Sequence, residues 1–164
     1  MLENILTKLS YLPKELVVII IASLPISELR GAIPVAISVF NFSVEKSFFL
    51  AFVGNFLFVP FFVWFLNYLS SYFMKFYWFN NFFNWWFNRV KAKTKSIEKL
   101  EFWGLVTFVA IPLPMTGAWS GCVASYLLGF NFWKSVLAIT LGILIAGVIV
   151  TTTTVGITHI VKLF

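Results

Sequence analysis

Two charged residues stand by themselves in a long apolar stretch. Glu28 and Arg30 are the sole charged side chains between Glu15 and Glu45. Holding a charge near the centre of a bilayer costs about 2.5–3.5 kcal/mol on insertion scales. A fold that keeps two such groups there has a use for them, either as a neutral pair locking a turn or as a site on a transport path. A carboxyl in apolar surroundings has its pKa raised, so Glu28 is a candidate proton carrier, while Arg30 stays charged and can hold an anion. Flanking them, Gly31 and Pro34 shape the backbone. A second segment has matching features: Pro112, Pro114, Thr116, Gly117 and Trp119. There Thr116 is a candidate hydrogen-bond donor and Trp119 a surface on which a substrate packs.

The elements that position these residues are membrane segments. Hydrophobic residues make up 60% of the 164-residue chain and charged residues 11%, against about 25% charged in a soluble domain. No Asp, Glu, Lys or Arg occurs over 47–74 or over 135–161. A span needs about 20 apolar residues, and both stretches exceed that. The expected span helices are 46–74 and 134–161. Lys8 and Lys14 ahead of the apolar run 16–24 have the look of a leader, but Glu15 and Pro25 at its edges fit one poorly.

The uncharged stretch 102–133 has the wrong length. As one straight helix it would reach ~48 Å at 1.5 Å per residue, beyond the ~30 Å hydrocarbon core. Two spans would not fit in it. Pro112 and Pro114 also interrupt it. A re-entrant hairpin over 102–132 fits both facts. The first half offers the same shape over 16–40, with Pro25 and Pro34 around the charged turn. Irregular backbone at membrane depth must be shielded by protein or line a cavity. Gly31 is expected to start the outgoing limb of the first hairpin and Gly117 that of the second. Exposed helix N-termini there would favour an anionic group.

The halves repeat weakly. Gly31-Ala32 pairs with Gly117-Ala118, Asn41-Phe42 with Asn131-Phe132, Lys46-Ser47 with Lys134-Ser135, and Gly54 with Gly142. Such duplication is a common plan of transporters. The expected fold is all-α and membrane-embedded. It has two inverted repeats, 1–74 and 100–164, each a re-entrant hairpin followed by a transmembrane helix. Each repeat crosses once, so the hairpins enter from opposite faces and their tips can meet near the midplane.

Between the halves, 75–99 reads as an interfacial connector. It holds Trp78, Trp85 and Trp86, a stripe of Asn80, Asn84 and Asn88, and the basic cluster Arg89, Lys91, Lys93, Lys95 and Lys99. The positive-inside rule makes it cytoplasmic. The excess of 12 Lys and Arg over 6 acids suits anionic lipid head groups rather than nucleic acid. Gly117, Gly121, Ser125 and Gly129 are spaced for close helix packing. Asn55 and Thr151–Thr154 are expected to form interhelical hydrogen bonds. One thiol, Cys122, and one imidazole, His159, leave little from which to build a metal site, cofactor site or hydrolytic triad, so no cofactor is expected and an enzyme is disfavoured.

The segments Pro25-Ile-Ser-Glu-Leu-Arg-Gly-Ala-Ile-Pro34 and Ile111-Pro-Leu-Pro-Met-Thr-Gly-Ala-Trp-Ser-Gly121 resemble the two signature segments of the small multidrug export proteins. That family is similar in plan to the DedA (VTT-domain) superfamily, some members of which move lipids or polyprenyl phosphate carriers. The resemblance implies paired re-entrant hairpins and transport across the cell membrane. Met115 stands where a glycine is expected, and the second segment has no arginine typical of DedA relatives, which leaves Arg30 as the basic group.

The leading expectation is a multi-pass transporter of an amphipathic, anionic or lipid-linked substrate, proton-coupled through Glu28. The alternatives are export of lipophilic cations with Glu28 as counter-charge, and a non-transporting scaffold that binds partners through 75–99. Half-buried hairpins also suggest a homo-oligomer among membrane lipids.

Overall fold

A computed structural model of the chain describes residues 12–68, 81, 84–85, 88–90, 101–113 and 116–163. All regular structure among them is helical: α1 (Lys14–Ser23), α2 (Glu28–Pro34) running into a π-helical turn (Val35–Val39), α3 (Val44–Tyr68), α4 (Glu101–Ala110), α5 (Ala118–Leu127) and α6 (Phe132–Leu163). Most of the connector 75–99 lies outside the described residues, as does Pro114. Within the connector, the Arg89 guanidinium sits 4.7 Å from the centre of the Trp85 ring.

The chain forms two compact units, one of residues 1–55 and 147–164, the other of residues 56–146. Helices α3 and α6 each contribute to both. Among the described residues they are also the two helices long and apolar enough to cross a membrane, over Val44–Tyr68 and Phe132–Ile160.

In the first unit, α1 begins after Pro13, whose carbonyl accepts the Leu16 and Val17 amides. It ends at Leu24, which sits at ψ 140. The cause is Pro25: the residue before a proline is pushed out of the helical region. The Ser27 hydroxyl then donates to the Ile21 carbonyl, satisfying one open end of α1. The Glu28 amide closes the turn on the Leu24 carbonyl at 2.9 Å. So α2 starts at Glu28, three residues before the Gly31 start expected from the sequence, and both charges lie in its first turn. Pro34 cannot donate to the Arg30 carbonyl. Beyond it the ladder takes the wider π form, with the Phe40 amide on the Val35 carbonyl at 3.1 Å.

α1 and α2 pack on each other. At ten residues, α1 is ~15 Å long and cannot cross a ~30 Å core. The Lys46 ammonium at the start of α3 bonds Glu15 at the start of α1, 2.6 Å away. Further along both helices, a Cβ on Gly54 would strike the Ile19 carbonyl and sit 2.9 Å from Ala22 Cβ. The order of these contacts makes α1 and α3 run in the same direction. The chain between them therefore runs out along α1, turns at 24–27 and returns to the level at which α1 starts.

The second unit holds the corresponding pair. α4 and α5 pack together, and a Cβ on Gly142 of α6 would lie 2.5 Å from Val109 Cβ and 2.9 Å from the Val106 carbonyl. A Cβ on Gly121 would meet Val109 Cγ2 at 2.5 Å, the close packing expected of the small-residue stripe. Gly129 serves otherwise: at φ 67 it stops α5, and the Phe130 amide reaches back to the Ser125 carbonyl.

The corner before each long helix is built alike. Asn41 and Gly129 take left-handed backbone, φ 54 and φ 67. Phe42 and Phe130 lie under Lys46 and Lys134, 4.1 and 4.2 Å from ring centre to ammonium. Ser43 Oγ and Asn131 Oδ1 cap the Lys46 and Lys134 amides at 3.3 and 2.9 Å. The Ser47 and Ser135 hydroxyls donate to the Ser43 and Asn131 carbonyls at 2.8 and 3.0 Å. Each pair is 88 positions apart, from 42 to 130 as from 54 to 142. This corrects the sequence pairing: Phe42 corresponds to Phe130 and not Phe132, and Ser43 to Asn131, because capping geometry and not residue identity fixes the register. Gly31 and Gly117 are not equivalent either; Gly31 is the fourth residue of α2, and Gly117 precedes α5.

Candidate functional site

The tip of the first hairpin gathers Glu28, Arg30, Gly31 and Pro34 on one short helix. Glu28 is 6% exposed, although ionised side chains are rarely that buried unless paired. Its backbone is at φ 47, a region that a non-glycine residue enters at a cost of roughly 1–3 kcal/mol and that clusters at functional sites. The twist takes Glu28 off ideal helical geometry, and its charge lies within electrostatic reach of Arg30. Arg30 itself is half-buried. A Cβ on Gly31 would crowd Ser27 Cβ at 2.8 Å, so the tight turn needs glycine there. Ile26, at the apex, is 98% exposed.

The second tip has a different chemistry. Thr116 is buried and its hydroxyl lies 2.7 Å from the Ile111 carbonyl and 2.8 Å from that of Leu113, while accepting the Leu113 amide at 3.2 Å. It closes the turn that Pro112 opens. Gly117, at φ 128 and ψ −167, adopts a conformation essentially reserved for glycine. Trp119 stacks on Phe58 with centres 3.6 Å apart and leans on Phe62 at 4.9 Å. No N-cap side chain bonds the first amides of α2 or α5. The residues singled out from the sequence thus fall into two groups, one in each compact unit.

Two further polar groups stand out, in a role other than the interhelical bonding expected of them. Asn55 is 1% exposed, and among the described residues neither its Oδ1 nor its Nδ2 has a hydrogen-bond partner. The Thr151 hydroxyl is likewise buried without one. Thr152, Thr153 and Thr154 satisfy themselves on carbonyls of their own helix, where interhelical bonds were expected. An Asn inside a long apolar run was the visible signal for Asn55; that it lacks a partner is visible only in three dimensions. Among the described residues no group of three metal-ligating side chains comes together.

Two long apolar helices, Val44–Tyr68 and Phe132–Ile160, point to a helical protein associated with a membrane. The chain belongs to the family described as "Putative small multi-drug export protein", whose model matches residues 28–149. That family is one of transporters by its description, and the match begins at Glu28. No curated protein and no solved structure matches the chain.

Proposed function

We propose that this protein carries an amphipathic anionic substrate across the membrane, with Arg30 holding the anionic head and Glu28 exchanging a proton as the substrate binds and leaves. The carrying observation is the Glu28–Arg30 tip: a buried carboxylate on left-handed backbone, two residues from a half-buried guanidinium, in a chain of an export family. A structural ion pair has no need of backbone strain at the acid. In this reading α1–α2 and α4–α5 are re-entrant, entering and leaving on one face. Each half then crosses once, through α3 or α6, and the halves are inverted repeats. The matching corners before α3 and α6 support duplication. At the second tip, Thr116 keeps the turn in shape.

The buried acid and the family's description favour one other reading, export of lipophilic cations with Glu28 as counter-charge. Proteoliposomes separate the two. Under an inward-acid pH gradient, the first reading expects transport of n-dodecyl phosphate that Arg30→Ala abolishes and Glu28→Gln uncouples from the gradient. The second expects transport of tetraphenylphosphonium that Glu28→Gln abolishes and Arg30→Ala largely spares. A protein that inserts normally and whose transport ignores both substitutions contradicts both.

A further inference from the structure

We propose that Asn55 is a substrate-contacting residue whose side-chain amide binds a phosphate monoester head at the depth of the Glu28–Arg30 tip. The proposal rests on the anionic-substrate reading above and extends it to a third polar contact and a head-group preference.

Three observations carry it. The first is the state of the amide: both polar atoms of Asn55 are buried and neither has a partner among the described residues. A buried polar side chain is disfavoured unless something bonds it. The second is depth. α1 and α3 run together from the Glu15–Lys46 bond to the contact of Gly54 with Ile19 and Ala22. α1 ends at Ser23, one residue past Ala22, and Asn55 is one residue past Gly54, a rise of ~1.5 Å. Asn55 therefore lies at the level where α1 gives way to the charged turn. The third is the other half. The residue 88 positions on is Ile143, 1% exposed, beside the equally close Gly142 contact. The same packing is met there by an apolar side chain, in the half whose hairpin has no charge at its tip. Packing does not call for an amide at this place; the polar residue occurs with the charged tip.

The chemistry narrows the ligand. Arg30 offers donors alone, whereas an amide offers a donor at Nδ2 and an acceptor at Oδ1. A singly protonated phosphate monoester satisfies both, its P–O⁻ oxygens accepting from Arg30 and Nδ2 and its P–OH donating to Oδ1. A carboxylate or a phosphodiester has no such hydroxyl. The site should then prefer a monoester over a carboxylate on the same alkyl chain.

The test uses the full chain purified in dodecyl maltoside, with n-dodecyl phosphate and dodecanoate as probes and thermal midpoint and binding as readouts. Asn55→Leu keeps the shape of the side chain and removes its polar atoms. The expected results are a parent that binds dodecyl phosphate more tightly than dodecanoate, and an Asn55→Leu protein that melts no lower, binds dodecyl phosphate at least tenfold more weakly and no longer distinguishes the two probes. Should the leucine variant not fold, Asn55→Ala, which also removes both polar atoms, carries the same expectation for binding. Unchanged affinity in the variant overturns the proposal. So does a lower midpoint with a changed oligomer mass, which would make the amide a contact between copies. A parent that prefers dodecanoate overturns the head-group assignment. If Arg30→Ala weakens dodecyl phosphate binding while Asn55→Leu does not, this inference alone falls; if neither does, the anionic-substrate reading falls with it.

Discussion

The Lys46 ammonium lies 2.6 Å from Glu15 Oε1, joining residues 31 apart at the starts of two helices that run in the same direction. This contact shows the chain returning to the level it left. Lys46 also lies over Phe42, so one side chain fastens the hairpin entrance and the corner that follows. Bonded to Lys46, the Glu15 carboxyl is held below its ordinary value. A depressed carboxyl contributes stability above its unfolded pKa and loses it as pH falls through the lowered folded value. The parent should melt slightly above Lys46→Met at neutral pH, by the small margin of an exposed pair, and the gap should narrow in acid below the usual carboxylate range. Detergent melts of both proteins across pH measure it; a gap that widens in acid contradicts the assignment.

Glycine substitutions should divide by location. Alanine at Gly54 or Gly142 drives a methyl into the backbone or side chains of the neighbouring hairpin limb, and overpacking of this kind costs about 1–3 kcal/mol. Gly156 is helical, exposed and without neighbours within 4 Å of a Cβ, so alanine there should stabilise by up to about 1 kcal/mol. Unfolding curves of the three variants in detergent check both the sign and the similarity of Gly54→Ala to Gly142→Ala.

The two corners should respond equally. Ser43→Ala and Asn131→Ala each remove a side-chain cap from a long helix, at about 1 kcal/mol apiece. They are far apart in sequence and share no bonded partner, so the double variant should show the sum. Equilibrium unfolding of the single and double variants tests this.

At the tip, stability and activity should separate. Glu28→Gly relieves left-handed backbone strain of roughly 1 kcal/mol or more and removes the carboxyl. It should insert and melt close to the parent while losing proton-coupled transport. Glu28→Gln keeps the strain and should also lose coupling. Paired melting and proteoliposome transport assays distinguish these results from simple unfolding.

Much of this was legible in the sequence, for identifiable reasons. Charge-free runs longer than a bilayer fix α3 and α6, and Pro25 and Pro112 mark where the shorter limbs must break. Proline acts locally, through its ring and its missing donor, so its effect can be read without a fold. The start of α2 was less legible. Gly31 suggested itself, but the turn is set by Pro25 acting on Leu24 and by the Ser27 hydroxyl on the Ile21 carbonyl, which leaves Glu28 to open the helix. The repeat register is not legible at Asn41-Phe42: identical letters pair it with Asn131-Phe132, whereas the backbone matches Asn41 with Gly129 by conformation and Ser43 with Asn131 by capping. At Thr116 the residue was legible as polar, but its bonds to Ile111 and Leu113 depend on a turn no spacing rule supplies. Asn55 was seen as a polar group in an apolar helix; its want of a partner is a property of packing.

The account turns on the first hairpin entering the bilayer and returning, with its charged tip at depth. Single cysteines at Lys14, Ile26 and Glu45, in a protein with Cys122→Ala, can be labelled with a membrane-impermeant maleimide from either side of sealed vesicles. The account predicts that positions 14 and 45 react from one and the same face, and that position 26 reacts far more slowly than either. Labelling of 14 and 45 from opposite faces, or of 26 as fast as of both, would contradict it.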